Sequence, residues 1–142
     1  KEEAQIEWAV MDLAVCRDGT LAAAALGVVT RWTDGDQHGF SRIGRADGLE
    51  KQSIQALTEG PDATLWLSHF LWGSGVSWIA RDVIHTLDSR DGLYSDRVER
   101  MAVDGRGRVW MIEIDGAVAI YERDALERAA ALRVDPSSHD GG

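Results

Sequence analysis

The stretch "SRDGLYSDRVERMAVDGRGRVWMI", residues 89–112, has a counterpart 44 residues earlier in "RADGLEKQSIQALTEGPDATLWLS", residues 45–68. Asp-Gly-Leu stands at 47–49 and again at 91–93, and Trp66 answers to Trp110. Ile54 pairs with Val98, Leu57 with Met101 and Leu65 with Val109 at the same spacing. One more step back lands on Val10, Leu13 and Leu21, with Ala22 where the later copies carry tryptophan. The chain therefore states one pattern three times, and an internal period is the first thing that decides a fold.

Each copy has the same grammar. A first apolar stretch ("WAVMDLAV", "SIQALTE", "RVERMAV") meets a turn rich in Gly, Asp or Pro, and a second follows ("TLAAAA", "TLWLSH", "RVWMIE"). A break at Gly27, Gly75 or Asp115-Gly116 leads to a third ("VVTRW", "VSWIA", "AVAIYE"). The first two copies add a fourth, "GFSRI" and "VIHTL". Short β-prone runs between turn signals predict antiparallel strands. Asp-Gly is read as a hairpin signal, because both residues tolerate positive φ. Four strands in a mid-forties period predict a blade of a β-propeller.

The fold expected is all-β, about three four-stranded blades over 6–49, 50–93 and 94–134, with a flexible tail at 135–142. The stretch "DALERAAALRV", 124–134, is predicted helical where the third blade needs its fourth strand. Asp124 is its expected N-cap, and Leu126, Ala129, Ala130 and Leu132 form its apolar stripe. An insertion of about four residues is placed in a loop around "FLWG", because Gly27 to Gly75 exceeds the period that Gly75 to Gly116 shows.

Composition narrows the function. The 142 residues carry 15 Lys and Arg against 24 Asp and Glu, a net charge of −9. That balance disfavours nucleic acid and anionic membranes as partners. Cys16 is the one cysteine, so there is no intrachain disulfide and no thiolate zinc cluster. The longest apolar run, "LAAAALGVV", is far short of a membrane span. The chain opens on Lys1 without a leader, which is read as a processed or excised chain.

The pattern Asp91-Gly92-Leu93, Val98, Asp104, Gly107, Val109 and Trp110 resembles the repeat of two-component-regulator propellers. It returns more weakly at Asp47-Gly48-Leu49, Ile54, Leu65 and Trp66, and the first copy keeps only Asp18, Gly19 and Leu21. Streptogramin-lyase-like propellers have similar repeats. The Gly-Thr that usually follows the tryptophan strand is missing here. The resemblance, over roughly residues 6–122, implies a periplasmic or other extracytoplasmic sensor segment of a bacterial regulator. It would bind a small ligand, such as a saccharide, or a protein partner, without cofactor or metal.

The side chains expected at a ligand site are His69, Trp72, Trp78 and Tyr94, as loop residues near one propeller face. Trp72 stands in the insertion beside Gly and Ser, and flat ligands stack on indoles. Trp66 and Trp110 are assigned to packing between blades. The lyase-like alternative uses His69 or His85 near a central metal, with His69 as a general base. The Asp-Gly pairs have no EF-hand spacing and are assigned to turns, not calcium. Three blades leave two open ends, since closed propellers have four to eight. The missing blades come from a longer chain, from a second copy, or are replaced by a capped open arc.

Overall fold

The computed structural model describes residues 10–25, 27–32, 40–49, 53–70 and 75–133. The first sheet contains β1 (Val10–Val15), β2 (Leu21–Ala25), β3 (Val28–Trp32) and β4 (Phe40–Ile43). The second contains β5 (Ile54–Glu59), β6 (Leu65–His69), β7 (Val76–Ala80) and β8 (Val83–Leu87). The third has three strands, β9 (Val98–Val103), β10 (Val109–Glu113) and β11 (Val118–Tyr121). All neighbours pair antiparallel in chain order, which is the up-and-down order of a propeller blade. The expected fourth strand of the third blade is replaced by α1 (Arg123–Leu132). Its Ala, Leu, Glu and Arg are strong helix formers, without the β-branched residues that favour a strand.

The period extends to the register. A shift interrupts the ladder at the matching place in each blade, next to the pairs Val10↔Ala25, Ile54↔His69 and Val98↔Glu113. Such irregularities re-aim the side chains beside them.

The core lies in the seams between sheets. Cys16, Ala22, Ala24 and Val29 of the first blade meet Ile54, Leu57, Leu65, Leu67 and Ile79 of the second. Trp66, Val76, Trp78 and Leu87 meet Val98, Val109 and Met111 of the third. Burial between sheets is the main stabilising term for such an array. Polar contacts fix the first seam: Leu57 N–H donates to Asp12 Oδ2 at 2.9 Å, and Arg17 N–H to Glu59 Oε1 at 2.8 Å.

The repeated Asp-Gly-Leu is not a hairpin at 47–49 or 91–93, which corrects the expectation. Each copy ends a 3₁₀ turn that links one blade to the next, over Arg45–Asp47 and Ser89–Asp91. The Asp47 and Asp91 carboxylates accept the N–H groups of Gly44 and Asp88, both at 2.9 Å. Gly48 and Gly92 then take left-handed φ of 104° and 106°. That bend drives Leu49 and Leu93 into the two seams. The motif is a plug between blades.

The N-cap is Glu122, two residues before the expected Asp124, and the helix runs over Arg123–Leu132. Leu126 is buried in the second seam, with Ala129 and Ala130 against it, whereas Leu132 is exposed. The tail at 135–142 lies outside the described residues.

Gly75 is the tightest point. Its φ is +69°, and a Cβ there would lie 2.0 Å from the Leu87 carbonyl oxygen. Gly75→Ala is expected to destabilise the protein by about 3 kcal/mol or more, combining strain and overpacking. Gly105 has open space around the same position and no positive φ, so Gly105→Ala is expected to stay within about 1 kcal/mol. Urea unfolding of both variants checks the contrast; equal effects would contradict it.

Candidate functional site

The β6–β7 hairpin, the β10–β11 hairpin and the segment 88–97 meet at one rim. Gly75 N–H donates to the Asp96 carbonyl at 2.8 Å, and Ile114 N–H to the Arg97 carbonyl at 3.0 Å. Asp96 also receives the Ser89 hydroxyl at 2.9 Å, which holds the segment against the preceding 3₁₀ turn.

His69 was expected in a loop. It is the last residue of β6 and fully buried, because the strand runs one pair further, to Ile54. Its Nδ1 is 3.0 Å from the Ser53 carbonyl oxygen, which only accepts, so Nδ1 carries the proton. Nε2 then accepts the Ser77 hydroxyl at 2.7 Å, and Ser77 Oγ in turn accepts from Thr86 at 3.0 Å. With a neutral imidazole the donation runs in one direction along this chain, from Thr86 to Ser53. The arrangement resembles a histidine–hydroxyl catalytic pair, but Ser77 and His69 are both sealed from solvent. Beside it lies a cavity of about 20 Å³, lined by Gln55, His69, Phe70, Arg97 and Val98, with room for about one water.

Trp78 was also expected near an exposed face. It sits in mid-strand β7, buried between Trp66 and His85, with ring centroids 5.0 and 5.1 Å away. Stacking of this kind stabilises beyond area burial alone. His85 is half-buried by the same stack. Tyr94 is exposed at the rim, and its N–H donates to the Tyr121 hydroxyl at 2.7 Å. Trp72 lies outside the described residues. Tyr94 is thus exposed on the segment that reaches this rim, His69 is buried at the end of β6, and Trp78 belongs to the seam.

Trp66 and Trp110 occupy one repeat position in different surroundings. Trp110 is exposed, and its Nε1 donates to Asp104 Oδ2 at 3.0 Å. Arg106 N–H, Arg108 N–H and Arg108 Nε bond the same carboxylate, and the Trp110 indole N–H first, with these donors, holds the Asp104 carboxyl far below the usual range. In the second blade Gly60 stands where Asp104 stands. Trp66 Nε1 is accordingly buried without an acceptor, under the Arg123 guanidinium at 5.4 Å.

Glu113 was not singled out from sequence, although it stands 44 residues after His69 at the same repeat position. It is buried, and neither carboxyl oxygen makes a hydrogen bond of good geometry. Burial raises its pKa above the ordinary glutamate value; the Ser95 side chain pulls down in part, and the Asp115 charge pushes further up. Asp88, equally buried, goes the other way: hydrogen bonds from Arg90 hold its carboxyl below the usual range.

A scan against known protein families finds no match, and a search of curated proteins finds none. Solved structures do match the fold. The extracellular domain of the hybrid two-component system BT3049 from B. thetaiotaomicron superposes with a TM-score of 0.65 at 14% identity, over 81% of this chain and 16% of that one. The corresponding domain of BT4673 gives 0.63 at 15% identity, over 85% of this chain and 17% of that one. Virginiamycin B lyase from Staphylococcus aureus gives 0.57 at 13% identity, over 80% and 41%. The chain is thus a set of propeller blades, spanning less than half the length of each of these structures.

A carboxyl whose pKa is raised on folding binds its proton longer in the native state than in the unfolded chain. Its contribution is complete below about pH 4.3 and is lost as pH rises through the folded pKa. Glu113→Gln is therefore expected to be more stable than the wild type at pH 8, by about 1 kcal/mol. The gap should close towards pH 4. Parallel denaturant titrations read the difference, which cancels the aspartates whose pKa values are lowered. A gap that widened on acidification would refute the assignment.

Proposed function

We propose that the chain is a non-enzymatic part of a bacterial sensor propeller, exposed outside the cytoplasm and binding a small ligand through Tyr94 at this rim, with Trp72 as a second aromatic contact. The observation that carries this reading is the burial of His69 within its Ser53–Ser77–Thr86 chain. Of the two histidines that a lyase-like reading would use, His69 is occupied in holding strands together and His85 is stacked on Trp78. Exposed Tyr94 and Phe70 at the same rim supply aromatic surface for a neutral ligand such as a saccharide. The sensor domains that share the fold support the same direction.

Isothermal titration with a panel of neutral oligosaccharides tests the reading. Saturable binding is expected, weakened about tenfold, or about 1.4 kcal/mol, by Tyr94→Ala or Trp72→Ala. His69→Ala should instead lower the unfolding midpoint, because it strands the Ser77 and Ser53 groups. Bond cleavage in any of these sugars, or affinity indifferent to both aromatic substitutions, would overturn the proposal.

A further inference from the structure

His69 and Glu113 hold one repeat position, and their surroundings differ. His69 has both ring nitrogens bonded, to the Ser53 carbonyl and the Ser77 hydroxyl. In the third blade Ala119 stands where Ser77 stands, so the hydroxyl partner is gone. Glu113 is 2% exposed, and neither of its oxygens has a hydrogen-bond partner of good geometry. It shares a face of β10 with Val109 and Met111, which places it in the seam with the second blade and not on the open end.

Among the described residues no cation pairs with it. The second blade brings Trp66, Val76, Trp78 and Leu87 to this seam, none of them charged. Asp115, on Glu113's own hairpin, adds a like charge. On β11, burial raises the Tyr121 phenol first, the Tyr94 N–H opposes it, and the Glu113 charge adds to the rise. From the segment 88–97 comes the Ser95 side chain, while Asp88 and Asp96 are held by Arg90 and Ser89. Arg97 and Glu99, on either side of Val98, are exposed. The part of this segment that carries Tyr94 hangs from the two hairpins. Gly75 N–H donates to the Asp96 carbonyl, Ile114 N–H to the Arg97 carbonyl, and Tyr94 N–H to the Tyr121 hydroxyl. Two of these anchors adjoin Glu113: Ile114 follows it in the chain, and Tyr121 lies within reach of its charge.

A buried carboxylate without a partner carries a desolvation cost that water would relieve, and the neutral acid does not. We propose that Glu113 is a proton-operated latch: protonated, it lets residues 94–97 seat over the seam, and ionised, it drives them off so that water reaches the carboxylate. Tyr94 rides on that segment, so the latch regulates the ligand site proposed above, and in this respect it rests on that reading. The seated form binds the proton more tightly than the open one. Seating is therefore complete at low pH and is lost as pH rises through the folded-state value of Glu113.

Amide exchange of residues 94–97 in the wild type and Glu113→Gln, compared at one pH so that intrinsic rates cancel, tests the latch. At about pH 8 the wild-type segment should exchange about tenfold faster than the variant's, and at about pH 4 the two should agree. Glu113→Leu, which cannot titrate, should follow Glu113→Gln. Equal exchange in all three at the higher pH would overturn the latch, as would a wild-type increase spread evenly over every strand. Titration of the same proteins with neutral oligosaccharides reads the coupling. Wild-type affinity should fall about tenfold between about pH 5 and pH 8, and that of Glu113→Gln should stay level. A pH dependence that persists in Glu113→Gln would overturn the coupling. Absence of binding at either pH would overturn the ligand site alone, with the latch still decided by the exchange result.

Discussion

A blade has two apolar faces and can cover neither by itself. Each face of the second blade is buried because another sheet lies on it, through Ile54, Leu57 and Leu65 on one side and Trp66 and Trp78 on the other. Everything else in the chain serves that constraint. Stability in such an array is a sum over seams more than over sheets. The end faces, with Leu13 and Trp110 exposed, are where the sum is incomplete.

Short devices hold the seams in register. The Asp-Gly-Leu turn uses a carboxylate to close a 3₁₀ turn, a left-handed glycine to bend it and a leucine to fill the seam. Gly75 admits the Leu87 carbonyl at a distance no side chain would allow. α1 replaces a strand and ties the last blade to the one before it through arginines at its two ends. The buried polar chain from Thr86 to Ser53 satisfies groups that the hairpin would otherwise strand inside.

The period of 44 made the three sheets and their strand order legible, because apolar residues recur wherever a strand enters a seam, and the C-terminal helix was legible from its apolar stripe where that pattern stops. Burial was less legible. Trp66 and Trp110 are the same residue in the same place, and the third blade covers the first of them but not the second. His69 looked like a loop residue because "HFLWGSG" carries no strand pattern, yet the ladder extends one pair further at the irregularity beside Ile54. The polar character shared by His69 and Glu113 at one repeat position was the available signal for both. The replacement of Asp104 by Gly60 in the second blade was also visible, but its effect on the Trp66 indole depends on neighbours that only the fold supplies.

Amide hydrogen exchange, followed by mass spectrometry, tests the seam account most directly. Among the described residues only the second blade has a sheet on both faces, so β6 and β7 should exchange slowest, with β1 and β11 opening well before them. Protection equal across the three sheets, or longest in the third, would contradict the view that the sheets stabilise one another through their seams.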